Sequence, residues 1–103
     1  MARRSESFDA VIAEKMKNIE FARETLIASI DHFGDTVEVA LKGTIEKMGI
    51  KEFSLLSDIP IQKISDFIKG KRNLKVETLN KYLAVFKLKS KLVVVEEEND
   101  DVA

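Results

Sequence analysis

Gln62, Lys63 and Ser65 lie close together, and Lys69, Lys71, Arg72, Asn73 and Lys75 follow directly after them. These residue types can do two kinds of chemistry. A glutamine pairs bidentately with adenine, a serine hydroxyl donates or accepts, and a lysine reaches a base edge or a phosphate. A cluster of lysine and arginine neutralises phosphates and fixes the orientation of a nucleic-acid backbone without reading its sequence. Between Ile50 and Lys75 the basic residues are Lys51, Lys63, Lys69, Lys71, Arg72 and Lys75, and the acidic ones are Glu52, Asp58 and Asp66. The segment is therefore +3 on a chain whose formal charge is -1. Any attraction for nucleic acid must come from this patch, because the molecule as a whole supplies none. The plainer alternative is that Gln62 and Ser65 are ordinary surface residues and the basic loop is simply solvated. Asn73 has two available roles, a phosphate contact or a cap on the following helix.

Other chemistries find little to use. There is no cysteine, so disulfides and thiolate metal sites are excluded, and His32, the only histidine, is not a credible zinc ligand. No Ser–His–Asp arrangement, phosphate-cradling glycine loop or HExxH motif is present. We expect no catalytic residue, metal or cofactor. His32 falls in the last turn of a predicted helix, where a cation is favoured, and capping is its expected role. The carboxylates sit at helix-surface spacing and read as solvated.

The elements that must position the cluster read as helices. At 103 residues, with 45% hydrophobic and 34% charged residues, the chain fits one compact domain. Four glycines and one proline leave few interruptions. No apolar run is long enough to cross a bilayer, and the N-terminus has no apolar signal core, so a cytoplasmic protein is expected. Met1–Ser5 is expected to be mobile, and Ser7 to cap a first helix over Phe8–Lys17. Asn18 caps a second over Ile19–Phe33, which Gly34 ends. Asp35 and Glu38 resemble a capping box for a third helix over Thr36–Met48, with Val37, Leu41, Ile45 and Met48 on its buried face. A short helix over Lys51–Ser57 precedes a fifth with Pro60 in its first turn, running to Lys69. Gly70 stops it, and a sixth follows over Val76–Lys87 with Leu79, Leu83 and Phe86 inward. Lys89–Glu97, with three valines in a row, reads as a strand, and Glu96–Ala103 as a frayed acidic end. A lone strand needs a neighbour, which points to a second copy or a partner; a disordered tail is the alternative.

Within Lys51–Leu88 the order of parts resembles the lambda-repressor-like (XRE-type) helix-turn-helix family. Phe53 stands at that family's apolar position in the first motif helix, and Ser54 at its small-residue position. Ile59 follows the turn, and Ile64 and Phe67 anchor the second helix. Gly70-Lys71-Arg72-Asn73 matches the Gly-Lys-x-Asn loop, and Val76-Glu77-Thr78-Leu79 the next helix. Upstream, the Phe8-Asp9 start, the segment Lys17-Asn18-Ile19-Glu20-Phe21-Ala22, the Gly34-Asp35 turn and Ala40-Leu41 resemble the leader of addiction-module antidote proteins, a HigA-like family of type II antitoxins. That family also ends in a short apolar strand. The chain departs from the pattern at Asp58, where glycine is usual, at Leu55, Leu56 and Ile61, where polar residues are usual, and at Asp66, whose charge opposes phosphate.

What the resemblance implies is an all-α, lambda-repressor-like helix-turn-helix domain with extra N-terminal helices and a short C-terminal β-strand. The N-terminal helical extension would cover residues 1–35, the DNA-binding domain 36–88, and the strand with its acidic tail 89–103. The implied function is a type II antitoxin that binds double-stranded operator DNA as a homodimer and neutralises a RelE-type ribonuclease toxin, not an enzyme itself. DNA contacts would fall to Gln62, Lys63, Ser65, Lys69, Lys71, Arg72 and Asn73, and the toxin would engage the helices between Phe8 and Phe33. A freestanding transcriptional regulator, or a protein-interaction adaptor on a decayed helix-turn-helix fold, are the alternatives. Leu55, Leu56 and Ile61 are expected to bury against the N-terminal helices, with a partner surface as the other option.

Overall fold

Among the described residues six helices form, in the order α1 (Ala2–Met16), α2 (Ile19–Phe33), α3 (Val37–Met48), α4 (Ile50–Ser57), α5 (Ile61–Ile68) and α6 (Val76–Ala84). The computed structural model describes the backbone of residues 2–97 and the side chains of residues 8–97. The protein is all-α, and no strand occurs among the described residues. None of these helices is long and apolar enough to cross a membrane.

Local signals account for most of the boundaries. Asn18 caps α2, its Oδ1 accepting from the Glu20 N–H at 3.0 Å and the Phe21 N–H at 3.2 Å. Gly34 ends α2 in the left-handed region at φ 71°. A single residue, Gly49, separates α3 from α4 at φ 105°, a backbone state that side chains rarely adopt. Several boundaries differ from expectation, most of them by a single residue. α1 begins at Ala2, so the backbone expected to be mobile over residues 2–5 is helical; the cap assigned to the Ser7 side chain lies outside the described residues. Thr36, not Asp35, caps α3, accepting from the Val39 N–H at 3.2 Å, while Asp35 instead accepts a hydrogen bond from the Ser29 hydroxyl. Pro60 sits one position before α5, which closes at Ile68. α6 stops at Ala84, and three turn residues carry the chain to Leu88, with Lys87 left-handed at φ 58°.

The strand expected over Lys89–Glu97 does not form. Residues 89–97 run without regular structure, and Leu92 and Val94 are each 90% exposed. Six helices offer no edge for backbone pairing, so valine propensity has nothing to act on. The start of the segment is tethered, because Asn80 Oδ1 accepts from the Ser90 N–H at 2.7 Å and from its hydroxyl at 2.8 Å. Residues 98–103, most of the expected acidic end, lie outside the described residues.

The core joins the two ends of the chain. Met16, Ala22 and Leu26 from α1 and α2 pack with Ala40, Leu41 and Ile45 of α3, and the same cluster continues into Phe53, Ile64, Phe67, Tyr82, Leu83 and Phe86. Four of these are aromatic. Phe53 lies 5.6 Å from Tyr82 and 5.9 Å from Phe86, and Phe67 meets Tyr82 edge-on at 5.3 Å. Such pairs contribute about 0.5–1.5 kcal/mol beyond burial alone. Lys42 of α3 places its ammonium 5.1 Å from the Phe67 ring centre. Truncating the central ring is the decisive perturbation. Phe53→Ala should lose about 3–5 kcal/mol of unfolding free energy, read as a lowered urea midpoint with an unchanged slope.

Candidate nucleic-acid interface

Two short helices, α4 and α5, meet across Asp58, Ile59 and Pro60. Asp58 adopts φ 62° and ψ 25°, the left-handed state that aspartate tolerates better than most residues. Two serines then hold the turn around Ile59. Ser54 donates its hydroxyl to the Ile59 carbonyl at 2.6 Å, and Ser57 Oγ accepts from the Ile59 N–H at 3.1 Å. Both backbone groups of a residue only 6% exposed are thereby satisfied. Ser54 was expected only to be small; its hydrogen bond is an added role that residue type alone did not disclose.

α5 buries Ile64 and Phe67 and turns its other side outward. Gln62 and Lys63 are exposed near its start, and Ser65 is half-buried. The Gln62 amide is oriented, with Nε2 donating to Asp66 Oδ1 at 3.0 Å. One N–H and the amide oxygen stay open, and those two groups are what a bidentate contact to adenine requires. Lys69, Lys71, Arg72 and Asn73 are exposed along the hook that follows. The hook is held from inside: the Gly70 N–H donates to the Phe67 carbonyl at 3.1 Å and the Lys71 N–H to the Asp66 carbonyl at 2.9 Å. No side chain caps α6, so of its two readings Asn73 does not take the capping one.

Leu55, Leu56 and Ile61 are 81%, 45% and 48% exposed, contrary to the expected burial. The reason is packing order. α1 and α2 lie against α3, and neither makes a substantial contact with α4 or α5. Among the described residues, Leu55 is left largely open and Leu56 and Ile61 about half open.

A cleft of about 170 Å³ brings together residues that the linear pattern kept apart. Lys63 and Arg72, both singled out from sequence, line it with Thr78, Lys81 and Tyr82 of α6, which were not. Thr78 and Lys81 are three residues apart on one helix face, and that spacing was the signal available. Lys81 lies outside the basic run, so local charge does not single it out. Tyr82 is 1% exposed, and burial pushes its phenol above the usual 10.0, with the Arg72 guanidinium pulling it back down. A folded-state pKa raised above the unfolded one means that the folded protein holds this proton more tightly. Its stabilising effect is complete below pH 10 and is lost as pH rises through that value toward the folded pKa. Thermal melts taken on both sides of pH 10 should fall more steeply for the parent than for Tyr82→Phe.

No protein-family model matches the chain, and comparison with curated proteins and with solved structures returns no match.

Proposed function

We propose that the protein binds double-stranded DNA through α5 and the hook after it, in the manner of a helix-turn-helix repressor, and acts as the antitoxin of a type II module. The observation that carries the DNA reading is the shared exposure of an oriented Gln62 amide and the cations Lys63, Lys69, Lys71 and Arg72 on one connected segment. The amide supplies sequence reading and the cations supply charge neutralisation, which is the division of labour found at protein–DNA interfaces. Two such segments in a homodimer would sit about 34–36 Å apart and meet successive major grooves of a palindrome. The toxin half of the proposal rests on the resemblance of the leader, and one surface is suited to it. Phe8 and Val11 of α1 and Phe21 of α2 are 64%, 50% and 39% exposed. Phe8 and Phe21 flank a cleft of about 360 Å³ that also touches Met16 and Lys47.

A protein-docking role for the same end of the molecule is the second reading, favoured by the exposed Leu55, Leu56 and Ile61. Titration of labelled duplex from upstream of the reading frame, at two salt concentrations, separates the two. The DNA reading expects binding that weakens as salt rises in step with the phosphates neutralised. Arg72→Ala should weaken all sequences alike, whereas Gln62→Ala should relax preference at one base pair by about 1–3 kcal/mol. If the parent binds no duplex at low salt, the docking reading takes its place. For the antitoxin role, co-expression with a neighbouring RelE-type toxin should give a co-purifying complex. Phe8→Asp and Phe21→Asp should release the toxin and leave DNA affinity unchanged.

A further inference from the structure

Three cations from three separate elements converge on the cleft beneath the start of α5. Lys63 comes from α5, Arg72 from the hook and Lys81 from the last turn of α6. All three residues are exposed, and among the described residues none lies within 4.0 Å of a carboxylate. Asp58 lines the same cleft without pairing with any of them. Like charges gathered around one concavity repel each other unless an anion lies between them. The neutral groups present also suit an anion. Thr78 brings a hydroxyl from the first turn of α6, whose leading N–H groups no side chain caps, and Tyr82 brings a phenol from an otherwise buried ring.

Lysine and arginine donate and do not accept, and the two hydroxyls can turn to donate as well. The matching ligand carries acceptors only. A phosphate group offers more oxygens than a carboxylate and spreads them over a tetrahedron, which donors arriving from three directions can reach at once. We infer that this cleft is a binding site for a single phosphate group. Only the source of that phosphate rests on the DNA reading above, which supplies a backbone phosphate beside α5 and makes Lys81 and Thr78 positioning contacts for the duplex. A soluble phosphate compound is the other source.

The test uses the full chain and two probes. Amide resonances are followed while inorganic phosphate is added against chloride at matched ionic strength. The parent should show saturable shifts at Arg72, Thr78, Lys81 and Tyr82, and Lys81→Gln should bind about tenfold more weakly, as expected for one lost charge-assisted hydrogen bond. Thr78→Val serves as a second variant with the helix intact. In the DNA arm, the upstream duplex is scanned with single methylphosphonates, each removing one backbone charge. One position should weaken the parent and leave Lys81→Gln unaffected, and the variant's salt slope should be shallower by about 0.9. Lys81 dependence at one methylphosphonate position assigns the site to the DNA backbone. Saturable phosphate shifts with no such position assign it to a soluble phosphate compound. If the chain binds no duplex, the DNA reading fails while the phosphate titration still decides the cleft. Shifts that never saturate or ignore Lys81, together with no Lys81-dependent methylphosphonate, overturn the proposal.

Discussion

Phe53, Phe67, Tyr82 and Phe86 form a connected set of rings, and the placement of the outward-facing residues of α5 and the hook depends on it. The rings come from α4, α5, α6 and the turn after α6, with centroids between 5.3 and 5.9 Å apart. A helix as short as α5 has little stability of its own in water. Ile64 and Phe67 hold it by one face, and that choice leaves Gln62 and Lys63 on the other. Tyr82 has a double role. Its ring touches both Phe53 and Phe67, yet the same residue lines the cleft shared by Lys63, Arg72 and Lys81. The apolar interior and the cationic surface are thus one side chain apart.

The turn between α4 and α5 shows how the chain manages without a glycine. A left-handed aspartate costs backbone energy that glycine would not. Ser54 and Ser57 offset it by bonding both polar groups of Ile59, so the connection is fixed by side chains as well as by backbone preference. The angle at which α5 leaves α4 is consequently well determined, and so is the direction in which its exposed face points.

Much of this was legible in the sequence because the signals were local. Asn18, Gly34, Gly49 and Pro60 mark boundaries through their own chemistry, and the three- and four-residue spacing of Leu41, Ile45 and Met48 gives the buried face of α3. Structure and local signal part where the outcome depends on distant neighbours. Valines at 93–95 favour a strand, but whether one forms depends on an edge that no nearby residue reveals. Leu55, Leu56 and Ile61 look like core residues by type, yet α1 and α2 pack on α3 and leave them outside the buried core. Thr36 displaced Asp35 as a cap because Ser29, a full turn back on α2, engages the aspartate. The candidate surface followed the same rule. Gln62, Lys63 and Arg72 were found from their local run, whereas Thr78, Lys81 and Tyr82 joined them only through tertiary folding.

Among the described residues the structure contains a single ion pair, Lys17 with Glu14 at 3.4 Å, exposed at the C-terminal end of α1. Such a pair adds little to cohesion, so the body of the molecule is held almost wholly by contacts that dissolved ions do not screen. Its cationic end has the opposite character and feels every change in the surrounding electrolyte. Any adhesion made through that end would therefore answer to ionic strength, while the packed interior would not soften with it.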